Sequence, residues 1–490
     1  MSIDPIAAAL PVAPLVAALT GLLLPKHTRK LPAILAIGGA AVPAALAVAM
    51  VIRGPLDADA GITIADFGGL KVTFGTWANG TAGLVALAVG IVATCVQVYS
   101  VAYLDHDDRY APYAAQISLF TAAMLLVVVS ADMIPLLVGW EVMGICSYLL
   151  IGHDRTLPEA PGAAVKAFLI TRFGDIAVLG TGAHSFRIAD VLAAAESGQL
   201  STATLTTAGI LLLCGVAGKS AQFPLHTWLP DAMAGPTPIS ALIHAATMVA
   251  AGVYLVARVY PIYNGTSLAV LAVSASITML IGAATAMAQQ DVKKVLAWST
   301  VSQLGYMTGA LAVGGRGPAL LHLLSHAGFK ALLFLCSGAL IHAVHSNLMG
   351  NMGGLRTAMP TTFWTMTIGL AALVGVPPLA GFVSKESILS AAHHAISSPE
   401  TLVPVWAAWT VWIAGLATAA MTGWYATRLW LRTFFGARTE QQAHEPPWAM
   451  RGPLLLLAVP SALFGLAALA PFIAERLETE VPEPLEVATL

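Results

Sequence analysis

Charge is what this sequence has least of. Only 10% of its 490 residues are Asp, Glu, Lys or Arg, against roughly 25% in an ordinary soluble domain. A chain so poor in charge, and 58% hydrophobic, cannot cover a water-facing surface with polar groups. That excludes a soluble globular protein and leaves a polytopic membrane protein. The formal net charge of −2 argues against a polyanionic partner, so no nucleic acid is expected. Cysteine is equally scarce. Cys95, Cys146, Cys214 and Cys336 lie far apart, each in an apolar run, which argues against iron–sulfur and zinc ligand sets. No dinucleotide-type glycine pattern follows a strand, so redox chemistry belongs to other chains. The triplet Gly218-Lys219-Ser220 resembles the end of a phosphate loop but fails on spacing. The position that needs the first glycine is Leu213, and residues 208–217 form an apolar run. Residues 6–24 lack a basic leader and read as the first of many spans, not as a cleavable signal.

Long hydrophobic runs are what the chain has in place of these. Windows of about 20 residues fall at 6–24, 31–52, 79–104, 112–130, 133–152, 162–183, 203–223, 237–260, 266–289, 296–313, 317–343, 360–396, 403–434 and 452–473. They predict an all-α polytopic membrane protein of about fourteen transmembrane helices in a lipid bilayer. The one long polar connection, 53–77, alternates Ile62, Ile64 and Val72, Phe74 around Gly68-Gly69 and predicts a small surface hairpin. The tail after Ala474 is acidic and broken by proline. With fourteen spans, thirteen lysines and arginines fall in or near the loops of one side and six on the other. The richer side holds Lys26, Lys166, Lys293 and Lys294, and the poorer side holds Arg258 and Arg476. The bias puts both termini on the non-cytoplasmic side.

The remaining four cations, Arg172, Lys219, Lys330 and Lys385, fall inside predicted spans, where a charge costs about 2.5–3.5 kcal/mol on insertion scales. Glu141 has an apolar run on each side, and reads either as a titratable group beside a water path or as a protonated helix pin. Arg172 and Asp175, three apart, share one helix face and can pair. Lys219 precedes Pro224 and Pro230, where a helix without those N–H groups must loosen. Lys385 follows Pro377-Pro378 and Gly381 in the same way. Broken helices near Lys219 and Lys385, in the two halves of the chain, are the sequence pointer to an inverted-repeat transporter. His244 sits alone on an apolar stretch, either as a core residue or as a proton carrier. In "HLLSHAGFKALLF", His322, His326 and Lys330 are spaced four and four, so all three stack on one side of a helix. Imidazole titrates nearest neutral pH, and such a stack reads as a proton relay. A metal at the histidine pair lacks a third ligand at a matching offset.

The stretches "VGWEVMGICSYLLIG", "GKSAQFPLHTWLPDAMAGPTPISALIHAATMVAAGVYLVAR", "DVKKVLAWSTVSQLGYM" and "SHAGFKALLFLCSGALIH" resemble the antiporter-like membrane subunits of respiratory complex I, most closely subunit L, the bacterial counterpart of subunit 5. The first subunit of multisubunit sodium/proton antiporters is similar. The resemblance covers roughly residues 80–430. It implies two inverted five-helix repeats: helices 1–3 over 1–111, a first repeat over 112–260, a second over 261–434, then a last helix and tail over 435–490. It implies that Glu141 and Lys219 form a switching pair, that Arg172 and Asp175 modulate Lys219, and that His244 connects toward the centre. His322, His326 and Lys330 would be the central relay and Lys385 the exit lysine. It implies no cofactor in this chain, with NADH, FMN, iron–sulfur clusters and quinone on partner subunits of an NADH–quinone oxidoreductase-type assembly. Subunit L continues into a long lateral helix and a final span that these 490 residues do not include, so a related antiporter, hydrogenase or inorganic-carbon uptake assembly stays open.

Sidedness is open to direct measurement. Thr28→Cys should label from the cytoplasmic side and Ala60→Cys from the other; labelling of position 60 only from the cytoplasm overturns the orientation.

Overall fold

The computed structural model describes residues 4–57, 61–67, 70–175, 185–398, 401–435 and 443–477, without the side chains of Phe67, Leu70 and residues 173–175. The Gly68-Gly69 turn, the second half of the 162–183 window and the end of the acidic tail lie outside the described residues. Each of the fourteen windows contains helix. In an apolar slab a spanning backbone must satisfy its own polar groups, and a helix does so within one segment. Helix starts carry side chains that accept the first free N–H groups: Asn79 accepts from Ala82, Ser201 from Thr204 and Asp291 from Lys294. At Asn264 the cap is reciprocal, with Ser267 answering the Asn264 backbone N–H.

Among the described residues, eleven helices are long and apolar enough to cross a bilayer, so the count of fourteen is not reached by that measure. The three other windows fall short for physical reasons. Ala160–Asp175 has 16 described residues. Val292–Ala312 is long but carries Ser299, Thr300, Ser302, Gln303 and Thr308, all turned inward and buried. The 360–396 window is two helices, Pro360–Val374 and Ala380–Ser397.

The bundle is built around two elements. Thr237–Ala245 and Met248–Arg258 are buried along their whole lengths. Arg316–Val344, 29 residues long, packs against both of them and against Gly80–Tyr103, Val292–Ala312, Pro360–Val374, Ala380–Ser397 and Trp448–Ala468. Outer helices such as Val405–Phe434 turn Trp406, Trp409, Ile413, Leu416 and Trp424 outward, as a lipid-facing surface requires. The expected hairpin is present. Ile62–Phe67 pairs antiparallel with Leu70–Phe74, with a bulge between Thr63 and Ala65. It is anchored through the buried Asp132, whose carboxylate accepts from Thr73 Oγ1 at 2.6 Å and from the Gly75 N–H at 3.2 Å. Asp132 also precedes Met133–Ile151, the helix that carries Glu141.

The structure corrects two loop assignments. The helix expected from 296 starts at Val292, so Lys293 is a buried helical residue and not a loop cation. Arg258 is buried at 6% exposure and donates to the carbonyls of Val127, Val128 and Ser130, capping the end of Tyr110–Val129. Taking Lys293 from one side and Arg258 and Arg476 (also buried) from the other leaves the charge bias in the same direction. The window 237–260 is interrupted at Ala246 and Thr247, where the sequence has neither proline nor glycine.

Gly381 lets the two half-helices of the 360–396 window touch, because a Cβ there would overlap the Ala372 carbonyl. Gly381→Ala should therefore cost about 1–3 kcal/mol, the range for overpacking a filled core. Gly423→Ala, which meets nothing within 4 Å, should be close to neutral. Unfolding midpoints of the two variants in detergent check the contrast, and equal midpoints refute it.

Candidate functional site

Both predicted breaks are present. Thr202–Lys219 ends at Lys219, Ala221 has φ +47°, and the chain continues through the short turns Leu225–Thr227 and Ala232–Ala234 around Trp228–Asp231. Side chains satisfy the opened backbone. Trp228 Nε1 donates to the Gly218 carbonyl at 2.8 Å, Gln222 Nε2 to the Ser220 carbonyl at 2.8 Å, and the Phe223 N–H to Thr278 Oγ1 at 2.9 Å. Thr308 Oγ1 donates to Gln222 Oε1 at 2.8 Å, tying the break to Val292–Ala312. At the second break Pro360–Val374 stops before Gly375, with φ +95°, and Ala380–Ser397 begins five residues later.

Lysines stand at both breaks. Lys219, 0% exposed, lies against the helix that carries Glu141. Its ammonium sits 5.7 Å from the centre of the Trp140 ring and 3.0 Å from where a Cβ on Gly144 would be. Any larger residue at 144 would compete with the ammonium for that place. Lys385 reaches back across its break and donates to the Leu373 carbonyl at 2.6 Å and the Val374 carbonyl at 3.4 Å. Those are end-of-helix carbonyls with no intrahelical donor, and the partial negative charge of a helix C-terminus favours a cation there.

The Arg172 guanidinium makes an ion pair with Glu141 of the neighbouring helix at 2.5 Å. The Asp175 side chain lies outside the described residues. Arg172 is also less enclosed than a mid-span charge suggests, with its side chain 41% exposed against 21% for Glu141.

The central stack forms as its spacing requires. His322, His326 and Lys330 lie on Arg316–Val344 with exposures of 0%, 1% and 0%, and the two imidazoles stand 6.2 Å apart, centre to centre. Each member reaches a different helix. Both His322 ring nitrogens have partners, Ser384 Oγ at 2.9 Å and Gln303 Oε1 at 3.1 Å. Ser384 immediately precedes Lys385, so His322 faces the second break. His326 approaches the Ala245 carbonyl, beside the unpredicted interruption at 246–247. Lys330 donates to Ser299 Oγ at 2.8 Å and the Leu296 carbonyl at 3.1 Å. His244, 0% exposed, packs 4.7 Å from the Phe334 ring, and neither ring nitrogen has a hydrogen-bond partner among the described residues. The structure thus brings His244, His322, His326, Lys330 and Lys385 into one buried neighbourhood, with Lys219, Glu141 and Arg172 at the other break. Among the described residues no group of three His, Cys, Asp or Glu side chains is placed to hold a metal ion. Sequence reasoning missed Lys293, Gln303, Ser299 and Ser384, which carry no signal beyond being polar on apolar helices.

Residues 130–410 match the family model described as NADH:quinone oxidoreductase/Mrp antiporter, TM, and residues 64–114 match NADH-Ubiquinone oxidoreductase (complex I), chain 5 N-terminus. The chain is 41% identical over 468 residues to NAD(P)H-quinone oxidoreductase chain 5 of Picosynechococcus sp., covering 86% of this chain and 68% of that one. It is 43% identical over 416 residues to NADH-quinone oxidoreductase subunit L of Mycobacterium tuberculosis, covering 81% of this chain and 64% of that one. The chain thus spans about two thirds of the length of such relatives. Among solved structures, a chain of the Mrp complex from Dietzia sp. superposes with a TM-score of 0.85 at 28% identity, covering 97% of this chain and 52% of that one. A chain of the archaeal membrane-bound sulfane sulfur reductase shares the fold at 23% identity, with a TM-score of 0.84 over 99% of both chains.

The Glu141–Arg172 pair sits between a surface ion pair, worth about 0–1 kcal/mol, and a wholly buried one. A double-mutant cycle of Glu141→Gln and Arg172→Gln should give a coupling of about 1 kcal/mol in unfolding free energy. Strict additivity of the two substitutions shows that the pair contributes nothing.

Proposed function

The chain belongs to the family of NADH:quinone oxidoreductase and Mrp antiporter membrane subunits, and from that premise we propose that it is a proton-translocating subunit of an NADH–quinone oxidoreductase-type assembly. The translocase activity belongs to the whole assembly. NADH, FMN, iron–sulfur clusters and quinone are assigned to partner subunits, and other membrane subunits are the partners of this chain. Two inverted repeats, over 112–260 and 261–434, and termini on the non-cytoplasmic side complete the reading.

The observation that carries it is the row of buried basic groups formed by His244, His326, Lys330, His322 and Lys385, with a further buried lysine, Lys219, at the first break. Lys330 and Lys385 have described partners that are hydroxyls and carbonyls, not carboxylates. An ammonium held by neutral acceptors can give up its proton without leaving a bare carboxylate behind, whereas removing one member of a buried ion pair costs about 3–5 kcal/mol. Glu141 is the acidic group that faces the first break. In the structure it is engaged by the half-exposed Arg172, with the buried Lys219 against the same helix. Exchange of Glu141 between the two cations raises or lowers the charge at Lys219, and so the proton occupancy of His244 and the central stack. His326 is the junction toward the interruption at 246–247 and His322 the junction toward Lys385.

A second reading, a subunit of a multisubunit cation/proton antiporter, is favoured by the likeness to the Mrp chain. Against it stands the make-up of the row, which offers a sodium ion mostly donors.

Lys219→Ala should leave assembly intact and lower proton flux per assembled complex at least tenfold; normal flux in vesicles removes the switching role. His326→Ala should lower flux more than His322→Ala, because the Cα atoms flanking position 326 along the helix are about 12 Å apart, too far for one water. Parallel loss of assembled protein with normal flux per complex would instead make both histidines structural. Sodium-dependent flux at constant proton gradient would favour the second reading.

A further inference from the structure

Away from the row, on the side poorer in lysine and arginine, several elements meet at one small cavity. Gly80–Tyr103 and Arg316–Val344 begin there, Met248–Arg258 ends there, and the chain passes it again at Leu477. Asn79, Thr81, Tyr254, Arg258 and Arg316 give it a polar wall. Among the described residues that line it there are two arginines and no aspartate or glutamate. Its volume of about 20 Å³ suits one water-sized occupant, which needs roughly 10–15 Å³.

The wall offers hydrogen-bond donors. Arg258 is 6% exposed, and its described partners are all neutral: the carbonyls of Val127, Val128 and Ser130 and the Tyr254 hydroxyl. They engage its two terminal nitrogens. Its Nε has no hydrogen-bond partner among the described residues. The Asp132 carboxylate, two residues past Ser130, is turned to Thr73 and Gly75 instead. Arg316 adds a second guanidinium, set 5.7 Å from the centre of the Tyr260 ring. Asn79 accepts the Ala82 N–H with its Oδ1 at 2.9 Å, which leaves the N–H bonds of its amide for another acceptor. Thr81 and Tyr254 direct their hydroxyl protons to the Arg476 and Val128 carbonyls. The two helix starts add partial positive charge, and that of Arg316–Val344 has no side-chain cap. Buried charges are ordinarily matched by an opposite charge, and here the missing charge is negative.

We propose that this cavity binds one small monovalent anion of the halide class, held by N–H groups of Arg258, Arg316 and Asn79. Size sets the class. A phosphate or a small carboxylic acid brings several heavy atoms, and the cavity takes about one. The anion accepts from the end of Met248–Arg258 and from the starts of Gly80–Tyr103 and Arg316–Val344. It thereby fastens the helix that carries His322, His326 and Lys330 to two neighbours at one end. The unfolded chain does not bring these three donors together, so the anion binds the folded form alone. Stability then rises with the logarithm of its concentration once the site fills.

The test uses the full chain in detergent at constant ionic strength, with chloride exchanged for gluconate. From about 1 mM to about 100 mM chloride the unfolding midpoint should rise by about 2 °C or more. Bromide should act alike, and methanesulfonate, too large for the cavity, should not. Arg316→Gln should lose the response. Asn79→Asp is the sharper variant. Aspartate keeps the helix cap and brings a carboxylate oxygen to the arginines, so its midpoint in gluconate should match or exceed that of the wild type, and chloride should add nothing. It keeps the test decisive where Arg316→Gln does not fold. No chloride response in the wild type, an equal response to methanesulfonate, or a full chloride response in Asn79→Asp each overturns the proposal. A response that appears only after residues 478–490 are removed shows a carboxylate of the chain itself at the arginines, and overturns it equally. In crystals grown with bromide, an anomalous peak is expected between Arg258 and Arg316; bromide peaks only at other places reject the site.

Discussion

A lysine ammonium in an apolar slab can be satisfied by backbone carbonyls, and carbonyls become available where a helix has been opened or where one accepts a second donor. The organisation of this protein depends on that constraint. Intact helices use nearly all their own acceptors, and an unmet charge at depth is expensive. Lys385 takes the end carbonyls of Pro360–Val374, Lys293 takes those of the turn after Lys219, and Lys330 shares the Leu296 carbonyl with a serine hydroxyl. Each break would be destabilising by itself, and so would each buried lysine. Together they offset one another.

The same arrangement explains why the protein can be both rigid and able to change charge. The opened segments are held by side chains from other helices, through Trp228, Gln222, Thr278 and Thr308, so the breaks are fixed features of a packed core. The lysines, by contrast, are held by neutral acceptors, which tolerate either protonation state better than a buried carboxylate does. The Glu141–Arg172 ion pair retains contact with the surroundings. Charge exchange is cheapest at that edge and most consequential at the enclosed Lys219 beside it.

Polarity on Val292–Ala312 has a matching explanation. Ser299, Gln303 and Thr308 meet Lys330, His322 and the Gln222 side chain of the first break. The helix is too polar to pass as a lipid-exposed span because its inward face supplies partners to the row. Its low hydropathy is the trace of the site in a helix that carries none of the row's own members.

Sequence by itself determined the membrane class, the hairpin, the approximate position of the long helices and the two breaks. Those features follow from local composition: apolar runs long enough to span, alternation around Gly68-Gly69, and prolines beside lysines. It also determined that His322, His326 and Lys330 share a face, because the helical repeat requires it. Tertiary structure alone decided who meets whom. Arg172 reaches Glu141 on another helix although Asp175 lies three residues away on its own, since packing brings the second helix within 2.5 Å. Lys293 read as a loop cation because its two carbonyl partners come from residues 58 and 60 positions earlier. The interruption at Ala246 and Thr247 carries no proline or glycine, and is set by the elements packed around a segment buried on every side. Periodicity records which face a residue occupies; the acceptor it finds there belongs to another part of the chain, and only the folded bundle specifies it.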